Sequence, residues 1–106
     1  MNKFIDDGVK AGYNFIVLEP QSSLNKAIVG FDKEHGRLIY EVDKLLKCFK
    51  DDSDMDAVEA LEWFDYNVID LTYMKNGPLF YDKNEKNYLT HKLIVTGKHF
   101  RSLSTS

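Results

Sequence analysis

The sequence predicts a small α+β domain, with two helices packed on one face of a mainly antiparallel sheet of about four or five strands. Two observations lead to this prediction. The predicted elements follow the order strand, hairpin, two helices and two strands, and 43% of the residues are hydrophobic, which suffices for one modest core. A length of 106 residues fits a single domain over positions 1–106, with no room for two independent cores.

The N-terminal quarter of the chain predicts a short helix and then a strand. Asn2 is a typical helix-capping residue, and the apolar residues Phe4, Ile5 and Val9 follow it at a spacing that fits a helix. The apolar run at residues 14–19 is closed by a proline and is typical of a buried strand.

A β-hairpin is the clearest local unit. Two β-rich runs, residues 27–32 and 37–41, flank the polar loop 33–36, and Gly36 at the end of that loop tolerates the positive φ that such a turn needs. We therefore expect two adjacent antiparallel strands.

Two helices are predicted directly after the hairpin. The first carries an apolar stripe at helical spacing, and Ser53 with Asp56 three residues later resembles a capping box that begins the second. We expect the second helix to cover residues 54–73. The predicted stripes are Val42, Leu45, Leu46 and Phe49 in the first helix, and Ala57, Leu61, Phe64, Val68 and Leu71 in the second.

The C-terminal part predicts two further strands and a tail. The turn residues 76–78 end the second helix, and residues 78–81 and 88–96 have the composition of strands. The small polar residues 102–106 predict a flexible tail.

The central half of the chain carries a recognisable pattern. The helix sequence Glu-Trp-Phe-Asp-Tyr-Asn-Val-Ile at 62–69 is followed by Gly-Pro-Leu-Phe-Tyr at 77–81. This pattern resembles a group of small, uncharacterised bacteriophage proteins with an acidic helix that carries an aromatic-x-aromatic-Asn-Ile/Val core, followed by a Pro-Ile-Phe-like strand. The resemblance covers about half of the chain, residues 27–81, and no function is established for that group. It implies a phage origin and an accessory or host-interaction role.

The charges are unevenly distributed. Eight of the seventeen acidic residues lie within residues 51–70, which contain no Lys or Arg, so the remainder carries nine acids against fourteen bases. A homodimer could set the acidic segment of one copy against the basic remainder of the other. The net charge of −3 argues weakly against bulk nucleic-acid binding.

The predicted second helix carries the first candidate binding surface. Its acidic and aromatic side chains outside the core stripe could dock on a basic patch of a host protein or imitate DNA phosphates, and a solubilising helix face is the alternative interpretation. Asn67 on the same flank either bonds a partner or is a buried amide that fixes the end of the helix. The candidate partner-binding residues are Glu59, Glu62, Trp63, Asp65, Tyr66 and Asp70.

Basic residues near the C-terminus form a second candidate surface. With aromatic residues interleaved, they could track a nucleic-acid backbone, or they could complement the acidic helix within the monomer or across a dimer. Nucleic-acid binding is therefore the alternative function. The residues concerned are Lys83, Lys86, Lys92, Lys98 and Arg101.

No motif for catalysis, metal or cofactor binding is evident. Asp52, Asp54 and Asp56 match positions of a calcium loop, but Ala57 replaces the glycine that the loop requires and Trp63 replaces its bidentate Glu. The three His and the one Cys lack the spacing of a zinc site. We therefore expect a non-enzymatic protein without a cofactor.

The sequence also predicts a compartment. A single cysteine, Cys48, allows no intramolecular disulfide, which fits a reducing cytosol. The longest apolar run has four residues, 15–18, far below the roughly 20 that a membrane helix needs. We expect a cytoplasmic protein without a membrane partner, in the host cytoplasm if it is encoded by a phage.

Overall fold

The fold combines helices and strands in the order that an α+β domain requires. The computed structural model describes residues 2–89, 93–96 and 99–102. Short 3₁₀ turns cover Asn25–Ala27 and Ile69–Tyr73. The other elements are α1 (Lys3–Lys10), α2 (Gln21–Leu24), β1 (Ile28–Asp32), β2 (Arg37–Glu41), α3 (Val42–Asp52), α4 (Ala57–Asn67), β3 (Leu79–Asp82), β4 (Asn87–Tyr88), β5 (Leu93–Thr96) and β6 (His99–Ser102).

The main sheet has the strand order β1-β2-β3-β4. The pairs β1–β2 and β3–β4 are antiparallel, but β3 runs parallel to β2. The helices between β2 and β3 return the chain to the end of the sheet where β2 began, and a crossover of this kind produces a parallel pair. The predicted small α+β fold is confirmed, with a sheet that is mixed rather than purely antiparallel.

The core lies on one face of this sheet. Leu38 and Tyr40 of β2 and Phe80 of β3 are fully buried there. The ring of Phe64 on α4 meets Phe80 edge to face, with centroids 5.1 Å apart. The helix α1 joins this face through the close approach of Gly8 to Phe31.

The hairpin and α1 form as their local sequences predict. The side chain of Asn2 caps α1 by accepting hydrogen bonds from the amides of Phe4 and Ile5. The turn between β1 and β2 ends at Gly36 with φ +68°. Arg37 fastens this turn to the loop before β3, because its guanidinium donates to the carbonyl oxygens of Gly77 and Thr72.

The second long helix begins later and ends earlier than predicted. Asp54 has a left-handed backbone with φ +58°, so residues 53–56 do not continue into a helix. The capping box is formed by Asp56 and Glu59 instead of Ser53 and Asp56. The amide of Glu59 donates to Asp56 Oδ1 at 2.8 Å, and the amide of Asp56 donates to Glu59 Oε1 at 3.2 Å. The chain beyond α4 tightens into the 3₁₀ turn Ile69–Tyr73.

The core stripe of α4 differs from the prediction at its first position. Leu61, Phe64 and Val68 are buried as expected, whereas Ala57 is exposed and Ala60 is buried in its place. Ala57 is the first residue of α4 and lies at its solvent-exposed N-terminus. Ala60, one helical turn later, faces the core.

The predicted strand at residues 14–19 is wrong. The segment is extended, but within the described residues it belongs to neither sheet. Its apolar side chains pack over the core while its amides bond elsewhere: Ile16 N donates to the carbonyl oxygen of Asn76 and Leu18 N donates to the hydroxyl of Tyr40. The apolar residues of this segment are therefore packed on the core as those of a strand would be, but the segment does not pair with another strand of the described part of the chain.

The predicted strand at 88–96 corresponds to two elements. β4 closes the main sheet, and β5 pairs antiparallel with β6 in a separate two-stranded sheet. Residues 90–92 lie outside the described residues. Of the predicted tail at 102–106, Ser102 belongs to β6 and the other four residues lie outside the described part of the chain.

Candidate binding surface

The outward face of α4 is acidic and aromatic. Glu59, Glu62, Trp63 and Tyr66 are all exposed, at positions that repeat with the period of a helix. Trp63 is 46% exposed and Tyr66 73% exposed, although both carry large apolar rings. Four of the six predicted partner-binding residues therefore share one face of one helix.

The other two predicted residues lie elsewhere. Asp65 is buried, with only 8% of its surface exposed, so the expectation that it points away from the core is wrong. It follows Leu61 by four positions and thus shares the side of the helix that Leu61 buries. Asp70 is exposed but belongs to the 3₁₀ turn beyond α4.

An apolar groove runs along the flank of this face. It has a volume of about 450 Å³ and lies between α4, the end of α3 and residues 16–24. Its walls are largely aliphatic and aromatic carbon. The apolar residues that line it include Ile16, Leu18, Leu24, Phe49, Val68 and Leu71.

A smaller depression of about 220 Å³ lies beside this groove on the outward face of α4. Met55, Trp63 and Asn67 line both cavities, so the two are neighbours. Glu59 and Glu62 also line the smaller depression. Apolar surface and carboxylates are thus adjacent here, and we call the groove and the depression together the channel.

Among the residues that the structure describes, the charge of this channel has a single sign. The carboxylates among these lining residues are Glu19, Glu59 and Glu62, and no described Lys or Arg lines the channel. Glu19 is held in position, because its two carboxylate oxygens accept hydrogen bonds from the backbone and side-chain nitrogens of Gln21. The channel is therefore suited to a ligand that is apolar and positively charged.

Asn67 lies where the two cavities join. It is the last residue of α4 and is exposed, so the interpretation as a buried amide does not hold. Its position at the channel leaves its side chain available to a ligand.

Hydrogen bonds connect the wall opposite α4 to the end of α3. Asp52 at the end of α3 accepts hydrogen bonds from Ser23 Oγ at 2.6 Å and from Lys26 Nζ at 2.9 Å. These two bonds hold the pKa of Asp52 below its ordinary value. Asp52 therefore serves to join α3 to the region around α2.

Cys48 supports the same junction. Its thiol donates to the carbonyl oxygen of Ser23 at 3.4 Å, and burial raises the pKa of that thiol. A protonated, buried thiol is a poor nucleophile. Cys48 therefore acts as a packing residue in this part of the fold.

The basic candidate surface is described only in part. Lys83 and Lys86 are exposed in the turn between β3 and β4. Lys83 Nζ lies 3.7 Å from Glu41 Oε1. Lys92 and Lys98 lie outside the described residues, and Arg101 belongs to β6.

The described residues contain neither a metal-binding cluster nor a membrane-spanning helix. Among the residues that the structure describes, no three His, Cys, Asp or Glu side chains are grouped so that they could hold a metal ion. None of the helices in the described part combines the length and the apolar character that crossing a bilayer requires.

Comparison of the chain with protein-family models, with curated proteins and with solved structures found no match. The chemistry of the α4 surface is therefore the guide to what the protein binds. The sequence predicted the acidic and aromatic residues of this surface but not the groove, whose walls at residues 16–24 and 63–71 are 39 or more positions apart in the chain. Trp63 and Asn67, within or beside an acidic segment, were the sequence signals that lie near it.

Proposed function

We propose that the protein is a non-enzymatic binding protein whose α4 surface docks on a basic surface of another protein. The observation that carries the proposal is the exposure of Trp63 and Tyr66 between Glu59 and Glu62, beside an apolar groove. Aromatic residues are enriched in the centres of protein interfaces, and carboxylates around them favour a positively charged partner. The resemblance to small phage proteins makes a cytoplasmic protein of a bacterial host the expected partner.

The charge of the surface favours a protein over nucleic acid as the partner. Glu59, Glu62 and Glu19 line the channel, and none of the Lys or Arg residues in the described part of the chain lies among its lining residues. A phosphate backbone would be repelled from these carboxylates, whereas Lys and Arg side chains of a protein would be attracted. A second copy of this chain could supply such basic residues, and the oligomeric state of the captured material distinguishes that case.

The test is capture of the partner by the tagged, full-length protein from a bacterial lysate, with and without nuclease. The variant Glu59→Gln/Glu62→Gln removes two charges from α4, and Gln at position 59 keeps the acceptor that the capping box needs. A matched control, Glu34→Gln/Glu85→Gln, removes the same charge from exposed turns of the sheet.

The proposal predicts one host protein that survives nuclease and is retained by the wild type and by the control. Retention by the α4 variant should fall, and added salt should weaken the wild-type complex, because exposed charges are screened. Equal retention by the α4 variant would refute the proposal. Loss of all retained material on nuclease treatment would favour the alternative, nucleic-acid binding through the basic residues near Lys83 and Lys86.

A further inference from the structure

We propose that the groove beside α4 binds the apolar face of a basic amphipathic helix of another protein. This inference rests on the proposed function, since it specifies the chemistry of the partner that the α4 surface takes. In this proposal the groove binds the apolar side chains of the partner helix. The carboxylates pair with the Lys and Arg residues of the same helix.

The size and lining of the groove fit apolar side chains. A dry cavity of about 150 Å³ holds a benzene ring, so about 450 Å³ accommodates more than one large apolar side chain. Met55 and Trp63 stand where the groove opens onto the outward face of α4. Met adapts its shape to the side chain that it meets, and Trp adds a large, rigid contact area.

An amphipathic helix presents apolar side chains in the pattern that such a groove accepts. Residues at i, i+3, i+4 and i+7 form one stripe, and helices bind grooves in other proteins through anchors with this spacing. The lining of the groove runs from Trp63 on α4 to Leu71 in the 3₁₀ turn beyond it, and includes the end of α3 and the segment 16–24. Apolar side chains from several elements are therefore available to successive anchors of such a helix.

The carboxylates select a basic helix. Glu19 lines the groove, whereas Glu59 and Glu62 line the smaller depression beside it, and the lining residues that the structure describes include no Lys or Arg. A neutral apolar ligand would desolvate carboxylates without pairing them, which costs free energy. Lys and Arg bury their aliphatic stems on apolar surface while the charged heads reach outward, so they satisfy both parts of the channel.

The test uses the full-length protein and synthetic peptides of about 14 residues, roughly four helical turns. The first peptide has Leu at i, i+3, i+4 and i+7 positions and Lys at the others. The second replaces each Leu with Ser and keeps the charge, and the third replaces each Lys with Glu and keeps the Leu stripe. Trp63 is the only tryptophan of the chain and lines both cavities, so its fluorescence reports occupancy directly.

A pair of protein variants locates the site. Asn67→Arg places a positive charge at the junction of the two cavities, and a cation at the C-terminal end of α4 is compatible with the helix dipole. Asn84→Arg makes the same change in the exposed turn between β3 and β4. Circular dichroism of both variants shows whether the fold is kept.

The inference predicts that the Leu/Lys peptide binds about tenfold or more tightly than the Ser/Lys peptide and than the Leu/Glu peptide. Asn67→Arg should weaken this binding by a similar factor, and Asn84→Arg should leave it unchanged.

Three results would overturn it, and they separate it from the proposed function. Equal binding of the Ser/Lys peptide would mean that the carboxylates act without the groove, and the proposed function would stand. Equal binding of the Leu/Glu peptide would mean that the groove takes apolar ligands of either charge. If no peptide binds although capture from lysate still depends on Glu59 and Glu62, the inference fails alone; if that dependence is also absent, both fail.

Discussion

The hydroxyl of Tyr40 accepts a hydrogen bond from the amide of Leu18 at 2.9 Å, inside the core. Tyr40 belongs to β2, whereas Leu18 belongs to the extended segment that forms one wall of the groove. Tyr40 is fully buried and Leu18 is 6% exposed, so this hydrogen bond is itself buried. This bond therefore ties the groove wall to the sheet.

Replacing Tyr40 with Phe should lower the free energy of unfolding by about 1–3 kcal/mol, because a buried amide would lose its acceptor. Urea unfolding measures the change. The control is Tyr88→Phe on β4, where the side chain is 44% exposed and the hydroxyl can be replaced by water, so we expect a change close to zero. Equal effects of the two substitutions would contradict the assigned role of Tyr40.

The ionisation of Tyr40 provides a second readout of the same contact. Burial raises the pKa of Tyr40 from 10.0 to about 12. Because the unfolded chain ionises this tyrosine first, its contribution to stability is complete below pH 10 and is lost as the pH rises toward 12. An ultraviolet titration should therefore show a tyrosine with a pKa of about 12, and the Tyr40→Phe variant should lack it.

Loss of the capping box of α4 should lower the free energy of unfolding. Asp56→Ala removes the acceptor for the amide of Glu59 and should cost about 0.5–2 kcal/mol of unfolding free energy. Ser53→Ala is the matched control, since Ser53 ends α3 and its side chain caps neither helix. A larger loss for Ser53→Ala than for Asp56→Ala would show that α4 begins earlier than Ala57.

The turn of the hairpin should make stability depend on pH. The hydrogen bond between His35 Nδ1 and Asp32 Oδ2, at 2.9 Å, raises the pKa of His35 above 6.5. Partial burial opposes ionisation of Asp32, but the hydrogen bonds from His35 and Glu34 outweigh it and lower the pKa of Asp32 below 3.8.

The sign of each effect follows from these directions. The contribution of His35 is complete below pH 6.5 and is lost as the pH rises through its raised pKa, whereas that of Asp32 is complete above pH 3.8 and is lost as the pH falls through its lowered pKa. The stability difference between the wild type and His35→Gln should therefore be larger at about pH 5 than at about pH 9. A difference that does not change with pH would refute this account.

Gly77 should not tolerate a side chain. A Cβ at this position would lie 1.9 Å from the carbonyl oxygen of Leu71, a backbone atom that cannot move aside alone. We expect Gly77→Ala to cost about 1–3 kcal/mol or more, because the loop before β3 must shift. Gly30→Ala is the comparison, since its Cβ would meet only the Ile39 side chain, with Cδ1 nearest at 3.3 Å. Thermal unfolding should separate the two variants.

The elements predicted correctly are those whose signals lie within a few residues. Gly36 supplies a turn between two β-rich runs, and Asn2 caps the helix that follows it. The parallel pairing of β2 with β3 depends instead on the path of the chain through two helices, which no local pattern records.

The incorrect predictions concern features that depend on the folded backbone or on distant parts of the chain. The left-handed backbone at Asp54 shifts the start of α4, although an aspartate at that position also suits a helix N-terminus. The sequence predicts Asp65 outside the core stripe, whereas its helical position places it beside Leu61 and it is buried. The groove could not be predicted because its walls come from residues 16–24 and 63–71, which only the folded chain brings together.

The most direct test of the α4 surface is an amide NMR titration of the full-length protein with the Leu/Lys peptide, and separately with a single-stranded DNA oligonucleotide. Our account predicts that the peptide shifts the amide signals of Glu59, Glu62, Trp63 and Asn67 together with those of residues 16–24. The DNA should leave these signals in place. Shifts concentrated at Lys83 and Lys86 with DNA, and none on α4 with the peptide, would contradict it.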